Sequence, residues 1–145
     1  MKPRDLIEVQ KEVAAIRDRL GEPIDAKIKD LVVGLRRWGV KTTMSCQGHW
    51  RGMPFPWVTI SQESSLILFE LLAVWNAPNM PDRPNRGRDA WNQSPWVVQP
   101  IFGDELRVMP RQQGWWRLGG LQKDAIAFGK FLQNLPDDFF GGEKE

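Results

Sequence analysis

The sequence predicts an α+β domain: a mainly antiparallel sheet of about four strands with helices packed on it. Three observations carry this. Apolar-periodic segments and short β-branched runs follow one another in the order helix, helix, strand, strand, helix, strand, strand, helix. No internal repeat divides the chain. Its 145 residues, 41% hydrophobic and 26% charged, suit one globular domain with a core of its own. The domain is expected over residues 1–138, with 139–145 as a C-terminal tail.

Residues 3–20 read as the first helix, since Leu6, Val9, Val13, Ile16 and Leu20 recur at spacings of three and four. Gly21 and Pro23 stop it. The second helix is expected from 23 or 24 to 38, with Ile24, Ile28, Leu31, Leu35 and Trp38 on one face and Gly39 just past its end. Residues 40–45 are β-branched and short, a strand that delivers Cys46 to its tip. Trp57-Val58-Thr59-Ile60-Ser61 alternates as a second strand. Residues 64–75 form an apolar helix whose expected buried face is Leu66, Phe69, Leu72 and Ala73. A long loop over 76–95 follows, rich in Pro, Asn and Arg. Residues 96–102 and 105–109 are strands joined at Gly103-Asp104, and residues 121–135 form the last helix.

Composition excludes several classes. One cysteine cannot close an internal disulfide, and one Cys with one His cannot fill a four-ligand structural zinc site. The amino-terminal segment builds no uninterrupted apolar core of a signal peptide, and no run approaches ~18 apolar residues. A cytoplasmic protein without a membrane span is the expectation. Net charge is only +2, so bulk attraction to nucleic acid is weak. Lys11, Arg17, Arg19, Lys27, Lys29, Arg36 and Arg37 are expected on solvated helix faces.

The stretch GVKTTMSCQGHW, residues 39–50, concentrates the chemistry. A thiolate is the reactive form of cysteine and a neighbouring imidazole is a common activator, so Cys46 and His49 are the candidate catalytic pair. Gly48 supplies the freedom a tight turn or a close ligand requires. Thr43, Ser45 and Gln47 add hydroxyl and amide groups at the same tip. The plainer alternative is a small buried thiol and a histidine that serves backbone groups. As a metal site, Cys-x-x-His gives two ligands where catalytic zinc takes three from the protein; zinc would need Asp82, Asp89 or Glu63, and no metal ligand is assigned.

The pattern Gly39-x-x-Thr42-x-x-Ser45-Cys46-x-Gly48-His49, between the helix PIDAKIKDLVVGLRRW and the strand PWVTI, resembles a motif of small bacterial and phage proteins of uncharacterised function. It covers about a quarter of the chain. More distantly, Ser45-Cys46-Gln47-Gly48 resembles the Ser-Cys-x-Gly turn of the Tyw3-like tRNA wybutosine-synthesising methyltransferases, with His49 where that family has an arginine. That likeness implies a nucleoside substrate, S-adenosylmethionine as cofactor, and a turn that lines a ligand site.

Eight Trp and no Tyr form an unusual aromatic set. Trp38, Trp57, Trp75 and Trp96 fall on element faces and are expected in the core, whereas Trp50, Trp91, Trp115 and Trp116 lie beside arginines in irregular stretches. Guanidinium forks match phosphate oxygens and indole faces stack on bases. Trp50, Arg51, Arg86, Arg88, Trp91, Arg111, Trp115 and Arg117 therefore join Thr43, Ser45, Gln47 and Gly48 as candidate ligand-binding residues. The reading that follows is a small binding domain for a nucleotide-like or other phosphate-bearing ligand, with no resident cofactor assigned. Two alternatives stand beside it. One is an enzyme acting on a nucleoside or nucleotide through His49 and Cys46; the other is an inhibitor or accessory protein of a phage or mobile element, with an RNA or protein partner.

Overall fold

The computed structural model describes residues 1–49, 51–77 and 95–141 of the chain. Helix α1 (Leu6–Ala15) starts at Asp5, whose carboxylate accepts the backbone N–H of Glu8 at 3.2 Å, and it buries Val9 and Val13. It ends well before residue 20. Ile16 takes an extended backbone, Arg17 and Pro23 form an antiparallel bridge, and the Asp18 carboxylate accepts the N–H groups of Leu20 and Glu22. An Asp side chain that bonds the following backbone competes with the helix, and here it prevails. Leu20, expected on the buried face, is 86% exposed.

Helix α2 (Ala26–Arg37) begins later than the sequence suggests because Pro23 belongs to that bridge. Gly39, at φ 89°, terminates it in the left-handed conformation that favours glycine. Val40 donates its N–H to Leu35 and so completes the helix end. Strand β1 (Thr42–Cys46) consequently starts two residues beyond its expected position.

With β2 (Trp57–Ser61), β3 (Trp96–Pro100) and β4 (Glu105–Pro110), β1 forms one antiparallel sheet of order β1-β2-β4-β3. The α+β expectation is met. Val58, Val108 and Val98 lie across from one another in register and point towards the helices, as do Ile60 and Leu106. Trp57, Thr59 and Arg107 occupy the opposite face, where the Arg107 guanidinium lies 5.0 Å from the Trp57 ring centre. Trp57 is accordingly half-buried, unlike Trp38, Trp75 and Trp96, which are core residues.

Helix α4 (Leu118–Asn134), preceded by a 3-10 turn over Trp115–Arg117, crosses α2 in the largest helix contact. Gly34 and Gly129 permit the approach: a Cβ on Gly34 would lie 2.8 Å from the Gly129 carbonyl oxygen, and one on Gly129 would meet the Asp30 backbone. Arg37, expected on a solvated face, is instead buried. It donates to the carbonyls of Leu132 and Leu135 and pairs with Asp137, closing the carboxyl end of α4. Trp38 Nε1 joins it on Leu132. Phe140, assigned by sequence to the tail, packs edge-on against Trp38 with ring centres 5.2 Å apart.

Helix α3 (Ser65–Asn76) buries Leu68, Leu71, Leu72 and Trp75. Of its expected face only Leu72 is buried; Leu66 and Phe69 are 78% and 51% exposed, and Ala73 is exposed too. The cause is composition. Only Ser65, Glu70 and Asn76 of its twelve residues are polar, so hydrophobic periodicity leaves the phase of the helix open. Asn76 lies inside this helix, and its carboxamide bonds both backbone groups of Trp96, tying α3 to the start of β3. Residues 78–94 of the loop predicted over 76–95 fall outside the described residues. Among the described residues no helix is long and apolar enough to cross a membrane.

Candidate functional site

Among the described residues β1 is an edge strand, paired with β2 alone, and an open cleft of ≈ 800 Å³ runs beside it. The opposing wall is the connection between α1 and α2, which contributes Ile16, Arg17, Asp18, Arg19, Leu20, Glu22, Ile24 and Asp25; α2 adds Val32 and Arg36, and β1 adds Thr42, Thr43, Met44 and Ser45. The early end of α1 creates this wall. Had the helix continued to residue 20, no bridged loop would face the strand.

Several charged groups in and beside the cleft have identifiable partners. Arg36 Nε and Nη2 donate to the hydroxyl and carbonyl oxygens of Thr42 at 2.6 and 3.0 Å, while Nη1 reaches Glu12 at 2.9 Å. Glu12 also receives Arg4, and these two hydrogen-bonded guanidinium groups hold its carboxyl down at about 2. Arg17 Nη1 donates to the carbonyls of Ala14 and Ile16, closing α1, which leaves its Nη2 and Nε donors for other acceptors. Asp18 and Asp25 accept backbone amides, from Leu20 and Glu22 and from Gln47 respectively. Arg19 and Glu22 are exposed side chains of the same wall.

The ladder between β1 and β2 is irregular between Thr42 and Met44, and Thr43 occupies the bulge. Its hydroxyl and that of Thr59 are 2.8 Å apart, and Thr59 Oγ1 also accepts the Met44 N–H. Ser45 lies opposite Val58, on the helix side of the sheet, and Cys46 lies opposite Trp57. Thr42, Thr43, Met44 and Ser45 all line the cleft, whereas Cys46 is not among its lining residues.

The Cys46–His49 turn is occupied by structural bonds. Gln47 Oε1 accepts the Lys27 N–H, one of the amides that the first turn of α2 leaves unpaired, and its carbonyl accepts Gln122 Nε2 of α4 at 3.0 Å. The residue thereby ties two helices to the strand end. Gly48, at φ 92°, is buried, and a Cβ there would lie 2.7 Å from the Phe55 backbone and 2.8 Å from Leu118. The turn therefore needs glycine for both backbone shape and space. The Gly48 N–H donates to Cys46 Sγ at 3.3 Å, and burial pushes the Cys46 thiol up, the reverse of what activates a nucleophile. His49 is exposed, and its backbone N–H bonds Met53. Among the described residues no hydrogen bond joins Cys46 to His49.

The other sequence-derived candidates lie elsewhere. Arg51 and Arg111 are exposed. Trp115 and Trp116 are 59% and 67% exposed, edge to face with each other, at the head of the helix whose Leu118 abuts Gly48. Arg117 donates to Gln112 Oε1 at 3.0 Å. Trp50, Arg86, Arg88 and Trp91 lie outside the described residues, as do Asp82 and Asp89; Glu63 pairs with Lys41. Among the described residues no three His, Cys, Asp or Glu side chains gather as a metal site would require.

Of the sequence-derived candidates Thr43 and Ser45 line this cleft, together with Arg17, Arg19, Glu22 and Arg36, to which the sequence assigns no ligand role. The available signal was the charged run Arg17-Asp18-Arg19 beside the breakers Gly21 and Pro23, which marks a polar loop rather than a helix face. No family model, curated protein or solved structure matches the chain significantly.

Proposed function

We propose that the protein is a non-covalent binding domain for a nucleotide-like, phosphate-bearing ligand, received by the cleft between β1 and the α1–α2 connection. The observation that carries this reading is the composition of the two walls. Arg17 and Arg19 offer guanidinium donors for phosphate, with the Thr43 and Ser45 hydroxyls opposite. Glu22 offers an acceptor of the kind that takes sugar hydroxyls, while Ile16, Leu20, Ile24 and Met44 supply apolar surface for a base. The cleft's arginines and carboxylates balance in number, which suits a ligand with both anionic and donor groups better than a bare anion.

The thiol raised by burial and the position of Cys46 outside the residues that line the cleft favour binding over covalent catalysis. Trp115 and Trp116, beside the same turn, are a second aromatic surface for a longer ligand such as a single RNA strand. Cytoplasmic location belongs to the same proposal. The experiment is a thermal-shift series with mononucleotides, cyclic nucleotides, free nucleosides and S-adenosylmethionine at millimolar concentration. Stabilisation that requires the phosphate and is lost in Arg19→Ala/Ser45→Ala supports the reading; no stabilisation by any nucleotide overturns it.

A further inference from the structure

We infer that the face of the sheet turned away from the helices binds a single strand of nucleic acid. Val58, Ile60, Val108 and Val98 give their side of the sheet to the core, and strand alternation sends Trp57, Arg107, Met109 and Val97 to the other side. All four are only partly buried there. Gln99, the cross-strand partner of Arg107, is exposed. The ladder continues past β4, since the Arg111 N–H bonds the Pro95 carbonyl, and the same alternation places the exposed Arg111 on this side too.

The charge on this face selects the occupant. A partly buried guanidinium is ordinarily held by a carboxylate, but Arg107 rests on an indole instead, its Cζ 5.0 Å from the Trp57 ring centre. Glu105, two residues back on the strand, makes no ion pair with it, and among the described residues no acceptor reaches its guanidinium. Its Nε is buried without a hydrogen bond, and so is Trp57 Nε1. The face thus presents donors that lack acceptors. Stacking fixes the plane of the Arg107 fork and leaves its terminal donors for the oxygens of a phosphate.

Spacing calls for a chain of phosphates rather than one. Residues i and i+4 of a strand lie about 13 Å apart, too far for a single phosphate to bridge Arg107 and Arg111. Met109 lies between them in β4, flanked by Val97 of β3 and Trp57 of β2, so an apolar row crosses the sheet between the two cations. Unpaired bases stack on such surfaces and on guanidinium planes, whereas the bases of a duplex already stack on one another. None of these residues lines the cleft beside β1, and the inference does not depend on the ligand proposed there.

Fluorescence anisotropy of a labelled single-stranded RNA of about 12 nucleotides, titrated with the full chain to about 100 µM at low and moderate salt, tests it. Saturable binding that weakens with salt is expected. Arg107→Met, which keeps a side chain over Trp57 but removes the fork, should weaken binding at least about tenfold and lower the salt slope by about 1. Arg111→Ala alters an exposed side chain and should act in the same direction, so the test survives if the first variant does not fold. A duplex of the same length should bind several-fold more weakly, and the cleft variant Arg19→Ala/Ser45→Ala should bind as the parent does. The inference is overturned if the parent shows no saturable binding, if affinity is unchanged in the folded Arg107 and Arg111 variants, or if the duplex binds as tightly as the single strand.

Discussion

Glu12 holds a charge between two arginines that anchor different parts of the chain, Arg4 before α1 and Arg36 at the end of α2. Its folded carboxyl lies at about 2, below the ordinary value near 4.5, so the unfolded chain takes up the proton first. The stabilisation is therefore present above about pH 4.5 and disappears as pH falls towards 2. Because Glu12 is 36% exposed, solvent screening keeps it below about 1 kcal/mol. Glu12→Gln should be less stable than the parent at neutral pH and converge with it in acid; denaturant midpoints across pH 2–7 check this, and a constant gap would contradict it. Cys46 gives a second expectation. With its thiol raised by burial, it should react with iodoacetamide more slowly than free cysteine at about pH 8 in the native protein and at the ordinary rate once unfolded. Rapid native labelling would restore the enzyme alternative. Residue types that occur once, as Cys46 and His49 do, were legible, but a catalytic pairing of the two was not. Side-chain direction was not, because it depends on where the strand starts, and Val40 had been taken up by the end of α2.

At the scale of elements, the crossing of α2 and α4 shows a propensity overruled by packing. Replacing a helical glycine by alanine ordinarily stabilises by about 0.5–1 kcal/mol. At Gly129 the added methyl would meet the Asp30 backbone, which cannot move aside as a side chain can. Gly129→Ala should instead destabilise the protein by about 1–3 kcal/mol, read from urea unfolding; an unchanged or raised midpoint would show that the helices can separate without loss. Element identity was largely legible: the breakers Gly39 and Gly103 and the alternation of β2 all fall where the structure has a helix end, a turn and a strand. Boundaries failed where side chains bond the backbone, as Asp18 does after α1. The buried face of α3 failed because a helix apolar on every side carries no phase information.

For the whole molecule, the α+β class followed from element order, but the strand order β1-β2-β4-β3 did not. It depends on α3 carrying the chain from β2 to the far edge before β4 returns between them. That topology leaves β1 at an edge, and the short α1 leaves a polar loop opposite it; the candidate site arises from the two together. Local pattern can mark residues 17–23 as a polar loop, but not that this loop faces a strand that begins at Thr42. The ligand proposed for this cleft is phosphate-bearing and nucleotide-like. Amide chemical-shift mapping during titration with the nucleotide that stabilises best, or with a nucleoside monophosphate if none does, tests it most directly. Saturable shifts concentrated at Arg17, Arg19, Thr43 and Ser45, with α3 unaffected, are expected; no saturable shifts, or shifts confined to surfaces away from β1, would overturn the proposed ligand.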